Sequence, residues 1–223
     1  MTTGLDVTIT HEVLPKVSVP VTVEGMIVPS DEEIRALHHK YAPTRKAFDL
    51  VFTHCTIVCA IAEQLIDRSG LTLDRALVRA GCLLHDIGVY RLYDRSGRLD
   101  HTRYVSHGVL GHQILAEEGL PETLCRFCSH HTGMGLTRKD IRDQGLPLPE
   151  ADHLAETVEE ELVMYADKFH SKRTPPVFVS ADTYAASVTR FGEDKAIRFK
   201  ELRSCFGVPD LAPLVSAHGH ALL

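Results

Sequence analysis

Apolar positions along the chain change their spacing near residue 30. Before it, DVTITHEVLPKVSVPVTVEGMIVP is rich in Val, Thr and Ile with local alternation, interrupted by Pro15 and Pro20. That pattern predicts short strands or an extended arm over residues 1–29. Ser30-Asp31-Glu32-Glu33 then fits a capping box, in which the serine oxygen satisfies an early amide and Glu33 reaches back. From there the spacing is helical. A second helix is predicted over about 44–67, with Gly70 beyond its end, and a third from near Thr72 to Gly88. A fourth starts at Ser106 and stops before Gly119, and a fifth runs from Pro121 to His131, broken by Gly133 and Gly135. A short turn at Thr137 and a long helix over 157–170 follow, then helices near 181–190, 193–206 and 210–217. The expected fold class is all-α, with a short β-prone N-terminal arm.

The chain has 223 residues, 44% hydrophobic and 24% charged, enough for one sizeable helical domain with its own core. No stretch is read as the roughly 20 apolar residues that span a bilayer. The first residues show neither a basic nor an apolar signal region, so a cytoplasmic location without membrane contact is expected. A net charge of −6 argues against general nucleic-acid binding. Cys125-x-x-Cys128 lacks the second half of a zinc pattern and reads as two small core residues. Fourteen histidines are an unusual share, and histidine is the commonest metal ligand.

Placement gives those histidines meaning. His54 lies on the apolar stripe of the second helix, with Val51, Val58 and Ile61. His85-Asp86 follows the apolar run Ala80–Leu84 and precedes Gly88. Burying the pair without partners would cost several kcal/mol, whereas ligating a cation would satisfy both. His107 opens the fourth helix, while His112, about 140° further round, is expected at the surface. His130-His131 closes the fifth helix, and Asp167 shares an inward face with Val163 and Met164. Imidazole and carboxylate ligands without thiolate suit iron or manganese ahead of a structural zinc site.

The order His, His-Asp, His, His-His, Asp resembles the HD superfamily of metal-dependent phosphohydrolases, whose subgroup hallmark stands here as His85-Asp86-Ile87-Gly88. The likeness runs from about Ser30 to Lys172. It is similar to uncharacterised HDIG proteins and, in His107-Gly108 and His131-Thr132-Gly133, to HD-type diadenosine-tetraphosphate hydrolases. Cyclic-dinucleotide phosphodiesterases of the superfamily share the paired histidines, but their GYP signature is missing and Thr132 stands where they carry glutamate.

The resemblance implies an HD-domain helical bundle, with a metal-binding core over 30–176 and C-terminal helices over 177–223 packed on it. It implies two divalent ions, Fe or Mn ahead of Ni, Co, Zn or Mg. One would take His54, His85, Asp86 and Asp167; the other Asp86, His107, and His130 or His131 or both. The implied reaction cleaves a phosphoester or phosphoanhydride of a nucleotide or small phosphorylated metabolite by a metal-bridging hydroxide. Asp86, His107 and Lys168 would be catalytic, with Arg103, Lys168, Lys172 and Arg173 facing phosphate. The alternative is a mixed-valent di-iron oxygenase acting on a small organic or organophosphonate substrate. A homodimer is compatible with the sequence. His11, His38, His39, His101, His153, His170, His218 and His220 receive no role.

Overall fold

The computed structural model describes residues 28–223, so nearly all of the expected β-prone arm lies outside the described residues. The capping box is formed. Ser30 Oγ accepts from Glu33 N–H, and Ser30 N–H donates to Glu33 Oε2 at 2.8 Å, starting α1 (Asp31–Tyr41). Thr44 caps α2 (Arg45–Ser69), which ends where Gly70 turns left-handed at φ +68°. Asp74 caps α3 (Arg75–Leu84). Then come α4 (His107–Glu117), α5 (Glu122–Ser129), α6 (Arg138–Gln144) and α7 (Val158–Ala166). The chain closes with α8 (Ala181–Val188), α9 (Glu193–Phe206) and α10 (Ala212–His218).

α2 is the axis of the bundle, packed against α3, α7 and α9. It is long and apolar enough, by length and composition, to cross a bilayer, which corrects the reading that no stretch approaches that size. Its stripe of Val51, Cys55, Val58, Ile61 and Leu65 is buried in the core instead. Tyr165, Phe169, Phe199 and Phe206 fill the space between α7 and α9.

Several helices stop earlier than their apolar spacing predicts. α3 ends at Leu84, and Asp86 sits at φ −108°, ψ 8°, outside the helical region, before a 3-10 turn over Ile87–Leu92. α5 ends at Ser129. The helix expected to reach residue 170 stops at Ala166, passes through a 3-10 turn over Asp167–Phe169, and becomes a strand. That strand, β1 (His170–Ser171), pairs antiparallel with β2 (Val177–Phe178), which pairs parallel with β3 (Ala221–Leu222). Each premature end places an ionisable side chain at a helix terminus rather than along a helix face. His112 is half-buried rather than on the surface, because α4 packs along α5 and its Nδ1 meets Ser129 Oγ at 3.0 Å.

Candidate metal centre

Four chain breaks converge on one point beside α2. His85, the C-cap of α3, turns its Nδ1 back onto the Cys82 carbonyl at 2.7 Å. Asp86 leaves the helix and points into the bundle, fully buried. Two residues on, Gly88 lets the chain run against α4. A Cβ there would lie 2.0 Å from the His107 carbonyl and 2.2 Å from the Gly111 amide, so only glycine fits. That backbone contact sets the first residue of α4 next to Asp86. His107 Nδ1 bonds the Tyr104 carbonyl at 2.6 Å, and His131, just beyond α5, bonds the Cys128 carbonyl through Nδ1 at 2.6 Å. Asp167 caps the C-terminus of α7.

Carbonyl oxygens only accept, so His85, His107 and His131 each carry hydrogen on Nδ1, and in the neutral ring each Nε2 is a bare lone pair. These lone pairs converge. Nε2 of His107 and of His131 are 2.9 Å apart, and Asp86 Oδ1 lies 3.4 Å and 3.8 Å from them. That buried oxygen has no hydrogen-bond partner. On the other side, His54 Nε2 is 2.9 Å from Asp167 Oδ1, 3.1 Å from Asp86 Oδ2 and 3.2 Å from His85 Nε2. His54, His85, Asp86 and Asp167 thus form one group able to hold a metal ion, and Asp86, His107 and His131 another. Asp86 offers one oxygen to each. Facing lone pairs and an orphaned carboxylate oxygen repel one another unless a cation sits among them, so this donor set fits divalent metal.

The electrostatics point the same way. Burial, reinforced by His85 and His107, holds His131 well below its ordinary pKa, and burial outweighs Asp86 in lowering His107. Both are therefore neutral, as ligands must be. Burial pushes Asp86 upward, but Lys172 and His85 together hold it well below the usual carboxylate range. Asp167 is held low against burial by Lys168 and His54. His85 is raised by Asp86 despite burial.

His130, one of the two expected alternatives at this position, is not brought to the group. Its Nδ1 faces Glu160 Oε2 at 3.7 Å on the other side of the chain. A cavity of about 870 Å³ opens over the cluster. Lys168, Lys172 and Arg173 line it, as do Arg190 and Lys195, which the sequence did not single out. Lys168 Nζ donates to Asp167 Oδ2 at 2.6 Å and to the His131 carbonyl at 3.0 Å, and Lys172 Nζ pairs with Asp86 Oδ2. Arg103 is exposed and lies outside the cavity lining. Apolar side chains, among them Leu50, Val89, Leu136, Val179 and Phe191, make up much of the wall. His170 and His220, given no role from sequence, stand behind His54. No signal in the sequence marks them, because the sheet alone brings them together.

Residues 51–172 match the family model described as HD domain. An uncharacterized protein of Methanocaldococcus jannaschii is 38% identical over 128 residues, covering 55% of this chain and 69% of that protein. A tRNA (cytidine(56)-2'-O)-methyltransferase of Picrophilus torridus is 33% identical over 128 residues, which is 57% of this chain but 33% of the methyltransferase. The chain therefore spans about a third of that relative's length. Among solved structures, the HD domain of the L. monocytogenes phosphodiesterase PgpH overlays with a TM-score of 0.50 at 18% identity, covering 83% of this chain and 98% of that one. At that identity the likeness shows a shared fold.

Proposed function

This chain belongs to the HD-domain family, and on that premise we propose that it is a metal-dependent phosphohydrolase acting on a nucleotide or other small phosphorylated metabolite. The observation that carries the proposal is Asp86, a fully buried carboxylate whose two oxygens face two separate ligand groups, one of them with no partner. His54, His85, Asp86 and Asp167 would hold one divalent ion, and Asp86, His107 and His131 a second, iron or manganese by donor type. Bound there, the ions would supply positive charge to a phosphoryl group and lower the pKa of a coordinated water.

The protein's own part is to orient and to neutralise. Lys168 is fixed between Asp167 and the His131 carbonyl, which leaves one ammonium hydrogen to donate to a phosphoryl oxygen. Lys172 stands on Asp86 and, with Arg173 and Arg190, lines the cavity with positive charge suited to a polyanion, while the Lys195 ammonium is paired with Asp140 at 2.7 Å. The apolar wall suits the uncharged part of the substrate and excludes water from the reacting phosphorus. Arg103 has no part in this reading.

Elemental analysis of anaerobically purified protein, beside phosphate release from a nucleotide panel with and without oxygen, tests it. Metal bound in the wild type, with metal and phosphate release both lost in Asp86→Ala, is the expected result. Two irons with oxygen consumption and no phosphate release would replace the proposal with the oxygenase.

A further inference from the structure

From His54 a chain of imidazoles runs away from the cluster through His170 and His220, neither of which the proposed reaction uses. His54 Nδ1 is 2.8 Å from His170 Nδ1, and His170 Nε2 is 3.0 Å from His220 Nδ1. The rings stack, with centroids 5.1 Å and 5.2 Å apart. His54 and His170 are buried, while His220 is partly exposed just before β3. The small sheet builds the alignment: His170 pairs with Phe178 across β1 and β2, and Phe178 with Leu222 across β2 and β3.

His54 differs from the other three histidines of the cluster in one respect. Their Nδ1 atoms are tied to backbone carbonyls, which fixes the tautomer. His54 Nδ1 instead meets another imidazole, which donates or accepts. Each nitrogen–nitrogen contact holds one hydrogen, so the three neutral rings run in one of two directions. With hydrogen on His54 Nε2, directed at Asp167 Oδ1 2.9 Å away, His54 Nδ1 accepts from His170 and His170 Nε2 accepts from His220. With His54 Nε2 bare, His54 Nδ1 donates to His170, and His170 Nε2 donates to His220. Only the second direction presents a lone pair to a cation.

The geometry points to His170 and His220 as positioning residues that set the tautomer of His54, and to a reversal of the three-ring chain when a divalent ion binds. This inference rests on the reading that His54 holds such an ion. Partners behind a ligating histidine commonly change metal affinity by about 10–100-fold.

The test measures Mn²⁺ affinity of the full chain, from the spectroscopic signal of free Mn²⁺, in the wild type and in His170→Phe, His170→Gln and His220→Phe. Phenylalanine keeps the ring and removes the acceptor, whereas glutamine keeps an acceptor and a donor. His170→Phe is expected to weaken binding at least about tenfold, His170→Gln to recover most of that, and His220→Phe to lose about threefold. Nitrogen-15 spectra of the histidine rings should place the His170 hydrogen on Nδ1 without Zn²⁺ and on Nε2 with it. A folded His170→Phe that binds Mn²⁺ within about twofold of wild type, or one unchanged His170 tautomer, overturns the inference. Should His170→Phe fail to fold, His220→Phe and the His170 tautomer decide. A wild type that binds Mn²⁺ but releases no phosphate removes the hydrolase and leaves the relay standing. A wild type that binds neither ion removes both.

Discussion

His38 and His131 are both buried histidines, His38 bonded to residues that flank the His85-Asp86 turn and His131 in ring contact with His85. His38 joins α1 to α3 and is fully self-sufficient: Nε2 meets the Leu83 carbonyl at 2.8 Å, and Nδ1 meets the Tyr90 hydroxyl at 2.8 Å. The carbonyl takes the ring hydrogen, and the hydroxyl supplies one to the other nitrogen. His131 has its hydrogen taken by the Cys128 carbonyl, but its second nitrogen meets acceptors alone, the matching lone pair of His107 and, at 3.8 Å, Asp86 Oδ1. Burial is therefore no mark of function. What separates the two regions is whether the protein supplies the complementary partner for every lone pair.

Five substitutions and one titration sharpen that contrast. Asp86→Ala should have the largest effect, emptying both ligand groups and lowering hydrolysis about a thousandfold or more, as elemental analysis and phosphate release would record. Retention of wild-type metal content would mean that the cluster is as self-sufficient as His38. Gly88→Ala forces a Cβ into the backbone of α4 and should cost about 3 kcal/mol in urea unfolding. A cost within experimental error would mean that α4 slides freely, so that its contact does not set the site.

The adjacent histidines come next. His131→Ala should weaken one ion about a hundredfold, whereas His130→Ala should leave metal binding within about twofold of wild type. Equal losses would break the assignment. His38→Leu leaves the Tyr90 hydroxyl and Leu83 carbonyl unpaired, so it should cost about 2 kcal/mol of stability while metal content holds. The smallest effect is a pH dependence. Burial holds His38 at about 4 in the folded chain against an ordinary 6.5. The unfolded chain takes up more protons between those values, so the stability present above pH 6.5 is lost as pH falls toward 4. The loss should be shallower in His38→Leu, as midpoints of unfolding measured from pH 7 to pH 4 would show.

Much of this centre was legible in the sequence because its ligands interrupt apolar patterns. His54 breaks a stripe, His85-Asp86 ends one, and Asp167 shares an inward face with Val163 and Met164. The choice between His130 and His131 was not legible, since it turns on where α5 stops. With the helix ending at Ser129, His130 faces Glu160 and His131 faces the cluster. His170 and His220 were out of reach for another reason. Their contact spans 50 residues and depends on strands of two residues each, too short to leave an alternating pattern. Arg190 lies in a 3-10 turn over Thr189–Phe191 and Lys195 in the first turn of α9, and their approach to the cavity follows only from tertiary packing.

The backbone contact between Gly88 and α4 divides the molecule into parts with unequal freedom to diverge. The spacing of Asp86 and His107 is held by main-chain atoms at Gly88, the His107 carbonyl and Gly111. The cavity wall is assembled from separate stretches around residues 99–107, 131–146, 167–179 and 184–195. Within them His107, His131 and Asp167 belong to the ligand groups, whereas wall positions such as Leu99, Leu136, Val179 and Phe191 are not ligands and can be exchanged. A lineage built on this plan can retune which molecule it admits while inheriting its inorganic chemistry intact, and engineering of selectivity should begin on that wall.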